Sequence, residues 1–139
     1  MTHNFSTSCR REKLQEIRHF VTEVLHDIGF PESEARKVIL AVDEVCANLI
    51  IHSNKSNPEE KLELFVENEG NNIRFEIVDH GLGFNYSEYK EPNITEIIKT
   101  KRKGGLGMML VKKIMDHVEF KCEKSRNVCC MTKKFDKNV

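Results

Sequence analysis

The chain has 139 residues, a length that suits one domain, and its 39% hydrophobic and 32% charged residues exclude a disordered or fibrous protein. The 22 basic residues balance 22 acidic ones, so net charge provides no general attraction to nucleic acid or to an anionic membrane. Short apolar runs and the polar N-terminus "MTHNFSTSCRREK" predict neither a signal peptide nor a transmembrane helix, and we expect a cytoplasmic location.

The cysteines, at positions 9, 46, 122, 129 and 130, are five in number and include no CxxC pair. This arrangement disfavours a disulfide framework and a zinc site and favours free thiols. Because Cys129 and Cys130 are adjacent in a predicted strand, we expect their side chains on opposite faces of a sheet.

The N-terminal half of the chain predicts a short strand followed by two helices. Residues 3–8, "HNFSTS", favour the strand, and apolar residues at helical spacing from Cys9 to Ile28 predict the first helix, which Gly29 ends. The second helix has Pro31 in its first turn and contains "AVDEVCANLIIHS", with "NKSNP" as its exit loop.

The next segment predicts a β-hairpin. "KLELFVEN" and "NIRFEIVD" alternate apolar and polar residues with period two, and "EGNN" separates them. The alternation places six side chains on one face of the hairpin: Leu62, Leu64, Val66, Phe75, Ile77 and Asp79.

The C-terminal half begins with a polar, irregular region that extends to about residue 103 and holds a short predicted helix at 94–99. "GGLGMMLVKKIMD" then predicts a third helix with an apolar stripe at Leu106, Leu110 and Ile114. "HVEFKCEKSRNVCCMTKKF" predicts two last strands around a turn from Ser125 to Asn127.

The order of these elements indicates an α+β fold in a single domain, residues 1–139. Strands that come in hairpin-linked pairs, with helices grouped together, favour a two-layer α/β sandwich over a doubly wound parallel sheet. We expect a mixed, mostly antiparallel sheet that helices cover on one face.

Three polar signals interrupt the apolar pattern, and the first lies inside the second helix. Glu44 and Asn48 are one turn apart, while apolar residues cover one side of the helix and Leu40, Ala41 and Ile51 flank the polar pair on the other. An unsatisfied buried amide costs roughly 1–3 kcal/mol, and a buried carboxylate without a partner is also costly. We therefore expect this pair to face something polar.

The second signal is "VDHGLGF". Asp79 has the inward parity of its strand, so it is a buried acceptor, and Gly81 and Gly83 allow the backbone to approach a ligand closely. An exocyclic amine of a purine is one donor that would satisfy such a carboxylate. The same pattern also occurs in ordinary strand-to-turn sequences.

The third signal is "KGGLG" at residues 103–107, where an apolar helical stripe begins. Glycine-rich backbone at a helix N-terminus presents unpaired N–H groups and partial positive charge to an anion, and phosphate is the natural ligand. Neither a Walker motif nor a GxGxxG fingerprint is present to explain these glycines. A flexible hinge and helix cap is the alternative interpretation.

Together and in this order, the three signals resemble the gyrase, histidine-kinase and MutL-type ATPases, which share the Bergerat ATP-binding fold, over nearly the whole chain. Within that superfamily the chain is most similar to the stand-alone anti-sigma-factor serine kinases of bacterial partner-switching systems. An N-terminal strand and helix precede "AVDEVCANLIIHS", as in those kinases, and we expect no further domain.

The resemblance implies ATP and Mg²⁺ as cofactors and assigns a role to each signal. It implies that Asn48 binds magnesium, that Glu44 is the general base and that Asp79 reads adenine, with Gly81 and Gly83 in the adjoining turn. It further implies a mobile lid at roughly 85–103, followed by a phosphate-binding segment. The lid end and that segment comprise Arg102, Lys103, Gly104, Gly105, Leu106 and Gly107.

The chain departs from the family pattern at two places. Lys103 stands where these kinases usually carry an Arg near the phosphates, and Lys offers a point charge instead of a bidentate fork. Asn127 and Val128 stand where Gly-Thr usually opens the last strand and where the Thr helps to hold adenine through water; Thr132, further along, is the candidate replacement. His52 matches a position near the phosphates but also fits a structural role at a helix end.

Three functions follow from the resemblance. The first is an ATP-dependent serine/threonine kinase that phosphorylates a STAS-type antagonist protein and sequesters a sigma factor; a homodimer is common in this family. The second is a regulatory module that binds nucleotide with little or no phosphotransfer, indicated by the two departures. The third, a histidine-kinase catalytic domain with His19 as acceptor, is disfavoured because Gly29 ends the helix without a hairpin partner.

Overall fold

A computed structural model of the chain describes residues 2–53, 59–80, 103–123 and 126–136. The elements in chain order are β1 (Thr2–Ser8), α1 (Lys13–Asp27), α2 (Glu32–Asn48), a π-helical turn (Leu49–Ser53), β2 (Lys61–Glu69), β3 (Asn72–Asp79), α3 (Lys103–Ile114), β4 (His117–Glu123) and β5 (Arg126–Lys134). The predicted helix at 94–99 lies outside the described residues.

The five described strands form one sheet in the order β1-β2-β3-β5-β4, and each neighbouring pair is antiparallel. The predicted α+β sandwich with a mostly antiparallel sheet is therefore confirmed. The hairpin register pairs Leu64 with Ile77 and Val66 with Phe75, which is the predicted shared face. β5 lies between β3 and β4, so the last strand along the chain comes to lie beside Asp79.

The hydrophobic core lies between one face of the sheet and the helices. Phe75 and Ile77 of β3 and Met131 of β5 are fully buried on the sheet side, and Val42 of α2 and Val111 of α3 are fully buried on the helix side. Burial of a side chain of this size contributes about 1.5–3 kcal/mol to stability. This packing fixes α2 and α3 against the sheet.

The turn between α1 and α2 is set by Gly29, whose φ of 78° suits glycine. The N–H of Gly29 donates to the His26 carbonyl and the N–H of Phe30 donates to the Leu25 carbonyl, which is the Schellman pattern of a helix end. Pro31, predicted in the first helical turn, stands just before it as the N-cap of α2. The predicted end of the first helix is thus confirmed.

The predicted apolar stripe of α3 is wrong at Leu110. Leu110 is 44% exposed, whereas Met108, Val111 and Met115 are buried in the core, and Ile114 is partly buried against it. Apolar residues occupy four consecutive positions in this helix, from Met108 to Val111, so two neighbouring stripes look alike in the sequence. The side chain of Leu106, the third member of the predicted stripe, lies outside the described part.

Asn127 lies in β5, paired with Cys122 of β4 and Asp79 of β3, and is not in the turn predicted from Ser125 to Asn127. The four cysteines described with their side chains, Cys9, Cys46, Cys129 and Cys130, are free thiols. Cys129 is buried and Cys130 is half-buried on the other face, as predicted. No helix in the described residues is long and apolar enough to cross a membrane.

Candidate functional site

Two polar side chains are buried in the part of the chain that the structure describes, and the sequence predicted both as site residues. Asn48 is 7% exposed and Asp79 is 0% exposed, while the other buried residues are hydrophobic. Burying an amide or a carboxylate costs free energy that hydrogen bonds or a ligand must offset. These two positions are therefore the first place to look for a binding site.

α2 places Glu44 and Asn48 one helical turn apart on the same side. Asn48 is the last residue of the α-helix and the π-helical turn begins at Leu49. Side chains four residues apart on a helix are neighbours, with Cβ atoms about 5–6 Å apart. Glu44 is half-buried, and Leu40, one turn before it, is 49% exposed. The prediction that Leu40 helps to cover the polar pair is therefore wrong, because α2 is open to solvent at that point.

The Nδ2 atom of Asn48 is buried and has no hydrogen-bond partner among the described residues. A 180° rotation of the amide would present Oδ1 at the same place, and a side-chain amide oxygen is a ligand that Mg²⁺ accepts. The Asn48 side chain thus fits a role in holding a metal ion or an ordered water.

Asp79 ends β3 on the buried face of the sheet. Its neighbours across the two strand pairings are Leu62 of β2 and Asn127 of β5. The Nδ2 atom of Asn127 donates a hydrogen bond to Oδ1 of Asp79 at 3.1 Å. This contact joins residues 48 positions apart in the sequence and fixes one oxygen of the carboxylate.

The buried thiols show that the Asp79 end of β3 lies close to α2. Burial, and secondarily the charge of Asp79, raises the pKa of the Cys9 thiol to about 11. Burial also raises the pKa of the Cys129 thiol well above its usual value, with Cys46 and Asp79 among the neighbours that add to the shift. Cys46 is on α2, two residues before Asn48. Asp79 and the end of α2 therefore border the same part of the core.

The glycine-rich segment forms the beginning of α3, which starts at Lys103. Gly104, Gly105, Leu106 and Gly107 are thus helical, as predicted, and the helix begins one residue before them, at Lys103. The first four N–H groups of any α-helix lack intrahelical partners, and the helix dipole adds partial positive charge at that end. The predicted anion-binding segment therefore has the backbone character that phosphate binding requires, and α3 packs against α2.

Several predicted site residues cannot be placed relative to this pair. Gly81, Gly83, Arg102 and the predicted lid, apart from its last residue, lie outside the described residues. His52 is part of the π-helical turn that follows Asn48. Their predicted roles stay predictions.

The structure does not bring Thr132 to this site. Thr132 pairs with Arg74 in β3, five positions along β5 from Asn127, and that register gives a separation of about 17 Å along the strand. Asn127 and Met131 pair with Asp79 and Phe75, so their side chains lie on the same face of the sheet as Asp79. Thr132 is adjacent to Met131 in β5 and therefore projects from the opposite face. The prediction that Thr132 replaces the missing Thr is therefore wrong. Asn127, seen in the sequence only as a departure, is the residue that contacts Asp79.

The chain matches the sequence pattern of the histidine kinase-like ATPase domain over residues 7–133. This match takes in nearly the whole chain, so the protein belongs to that family. The match confirms the ATPase superfamily that the three polar signals predicted. Asn48, Asp79 and the start of α3 follow one another along the chain in the expected order.

Within the family, the chain is similar to curated serine-protein kinases named RsbW. The relative from Bacillus mycoides (strain KBAB4) is 25% identical over 128 residues, which cover 89% of this chain and 79% of the relative. The relative from Halalkalibacterium halodurans is 26% identical over 138 residues, which cover 95% of this chain and 82% of the relative. The predicted resemblance to serine kinases of this superfamily is thereby confirmed.

Solved structures show the same fold. The RsbU and RsbW domains of Rv1364c from Mycobacterium tuberculosis give a TM-score of 0.67 at 12% identity, where 100% of this chain aligns with 34% of that chain. The SiaB–SiaC complex from Pseudomonas aeruginosa gives a TM-score of 0.65 at 16% identity, with coverage of 94% of this chain and 88% of the other. At these identities the structural likeness concerns the fold alone.

Proposed function

We propose that this protein is an ATP-dependent serine/threonine protein kinase that binds ATP between α2, the end of β3 and the start of α3. The observation that carries the proposal is the burial of Asn48 and Asp79, the two buried polar side chains among the described residues. Family membership and the kinase names of the curated relatives support it.

Asp79 is proposed to accept a hydrogen bond from the exocyclic amine of adenine. A carboxylate with no solvent exposure gains most from a donor, and an ionised carboxylate is an acceptor only. The amine group of adenine is such a donor. Its hydrogen bond with Asp79 would orient the nucleotide so that its phosphates extend along the binding site.

Asn48 is proposed to hold Mg²⁺ together with the phosphates of ATP, because its buried amide has an atom without a partner in the described part of the chain. When bound, Mg²⁺ would neutralise charge on the phosphates and orient them. The N–H groups at the start of α3 would bind phosphate oxygens, and Lys103 would add positive charge next to them. The N–H groups and Lys103 would stabilise the phosphates because the fold holds them in position.

Glu44 is proposed to act as the general base. It lies one turn from Asn48 on α2, so its carboxylate can approach an acceptor hydroxyl that faces the terminal phosphate. A base at this place takes the proton as the hydroxyl oxygen bonds to phosphorus and ADP leaves. Glu44 would thus act on the hydroxyl group that accepts the phosphate, and Asp79 would bind the adenine ring of the nucleotide.

The acceptor is proposed to be a serine or threonine of a small STAS-type antagonist, and a sigma factor is proposed as the second partner. The names of the curated relatives and the solution of one structural neighbour as a two-protein complex support a partner-switching role. We further propose that residues 1–139 act as a single domain in the cytoplasm, with a homodimer as the expected assembly.

Transfer of labelled phosphate from Mg–ATP to candidate antagonist proteins tests the proposed activity. Glu44→Ala should reduce transfer about a hundredfold or more, because a positioned general base is lost, while ADP affinity changes little. Glu34→Ala, a half-buried glutamate in the first turn of the same helix, is the matched control and should transfer phosphate normally. A Glu44→Ala protein as active as wild type would remove Glu44 from the mechanism.

The second candidate function is a regulatory module that binds nucleotide without useful transfer. Lys103 in place of Arg and Asn127-Val128 in place of Gly-Thr favour it. The same assay separates the two functions, since this module would bind ADP yet transfer no phosphate to any antagonist.

A further inference from the structure

The hydrogen bond from Asn127 to Asp79 is a feature of this chain that the proposed kinase activity does not explain. The two residues are cross-strand neighbours on the core side of the sheet, and Nδ2 of Asn127 is 3.1 Å from Oδ1 of Asp79. Asp79 has no solvent exposure and Asn127 is half-buried. The amide therefore lies directly beside the carboxylate that is proposed to read the base.

The two purine bases make different demands on a carboxylate. Guanine offers two adjacent donors, N1–H and N2–H, which pair with both oxygens of a carboxylate at once. Adenine offers its exocyclic amine and needs one oxygen. At Asp79 the Asn127 amide already donates to Oδ1, so a second donor must share that oxygen and approach close to the amide N–H group, which disfavours the two-oxygen arrangement. Binding through one oxygen does not require displacement of that amide.

We propose that Asn127 is a positioning residue that selects adenine over guanine nucleotides by holding Oδ1 of Asp79. This inference rests on the proposed function, in which Asp79 binds the base. The amide acts through the carboxylate: it fixes the rotation of the Asp79 side chain and takes one acceptor position of Oδ1, the oxygen that guanine would also need. Selectivity for adenine then depends on a side chain of β5 that lies 48 residues after Asp79 in the sequence.

Titrations of ADP and GDP into wild type and Asn127→Val test this role. Valine removes the amide and keeps a high strand preference, so β5 is retained. We expect the ratio of ADP to GDP affinity to fall about tenfold or more, the scale of one hydrogen bond to a charged group. Asn72→Val, a half-buried asparagine at the other end of the same sheet, is the matched control and should keep the wild-type ratio.

Each outcome decides a separate point. Wild-type protein that binds neither nucleotide would overturn the proposed function and this inference with it. Wild-type binding of ADP together with an unchanged ratio in Asn127→Val would overturn the inference alone. Asn127→Ala, measured in parallel, covers the case in which valine prevents folding. Loss of both nucleotides in a variant that melts like wild type would also contradict selection, since the amide would then be needed for binding itself.

Discussion

Asn48 shows at the scale of one residue what a buried polar group in the proposed binding site costs in stability. Its Nδ2 atom is buried without a partner among the described residues, and an unsatisfied buried polar group costs about 1–3 kcal/mol. Asn48→Leu, which keeps the branching and number of side-chain heavy atoms and removes the polar ones, should raise the free energy of unfolding of the nucleotide-free protein by about 1 kcal/mol. The same variant should bind ATP equally in Mg²⁺ and in EDTA.

Urea unfolding and calorimetry measure the two effects of Asn48→Leu on one sample. Asn4→Leu, the same substitution at an exposed position of β1, should change stability by less than about 0.5 kcal/mol and leave the magnesium effect intact. Lower stability of Asn48→Leu, with ATP affinity still raised by Mg²⁺, would show that the amide is a structural residue.

At the same scale, the sequence predicted Asn48 and Asp79 but not Asn127. Apolar spacing in α2 and alternation in β3 are local patterns, and a polar residue at a buried position stands out against them. The contact of Asn127 with Asp79 depends on which strand becomes the neighbour of β3. That choice is made by packing between distant segments, so no local pattern around Asn127 could reveal it.

At the scale of one element, α3 offers a direct test of its packing. Met108 is 1% exposed and Leu110 is 44% exposed, although both are large apolar residues of the same helix. Met108→Ala should destabilise the protein by about 2–5 kcal/mol because it leaves a cavity in the core. Leu110→Ala should cost about 0.5 kcal/mol or less, as for other surface substitutions. Equal losses in thermal or urea unfolding would show that α3 is rotated from the orientation described.

The elements themselves were predicted with unequal success for physical reasons. The hairpin of β2 and β3 has apolar residues at every second position of its core face, and Gly29 terminates α1 through its positive φ, so local sequence was sufficient for both. In α3 the apolar run from Met108 to Val111 spans more than one side of the helix, and contacts with α2 and the rest of the core decide which of its residues are buried. Lys113, three residues after Leu110, is exposed on the same side of α3. A lysine at that position indicates in the sequence that Leu110 faces solvent.

For the molecule as a whole, the buried thiols predict weaker stability in alkaline solution. Burial raises the pKa of Cys9 from 9.0 to about 11, and it also raises the pKa of Cys46 and Cys129. The folded state holds these protons more tightly than the unfolded state. The contribution of the protonated Cys9 thiol to folding stability is therefore complete below pH 9 and is lost as the pH rises toward 11. The melting temperature should therefore fall across that interval.

Cys9→Ala is the variant that isolates one thiol in this pH experiment. It lowers stability at neutral pH through lost packing, but its melting temperature should fall less steeply between pH 9 and 11 than that of wild type. Equal slopes for the two proteins would show that the Cys9 thiol titrates alike in the folded and unfolded states.

The two-layer arrangement was predictable for the whole molecule because paired strands and grouped helices leave few other ways to bury their apolar faces. The sheet order was not, since the insertion of β5 between β3 and β4 joins segments far apart in the chain. That insertion places the β5 residue Asn127 beside Asp79. The proposed site is thus a product of the global topology as well as of the local motifs.

Calorimetric titration of ADP into wild type and Asp79→Asn tests most directly whether this is a nucleotide site. We expect affinity on the order of micromolar for wild type and a loss of about tenfold or more for Asp79→Asn, because an amide replaces the charged acceptor of the adenine amine. Glu76→Gln, on the opposite face of the same strand, should bind like wild type. Absence of binding to wild type, or equal affinity in Asp79→Asn, would contradict the assignment of Asp79 and with it the proposed ATP site.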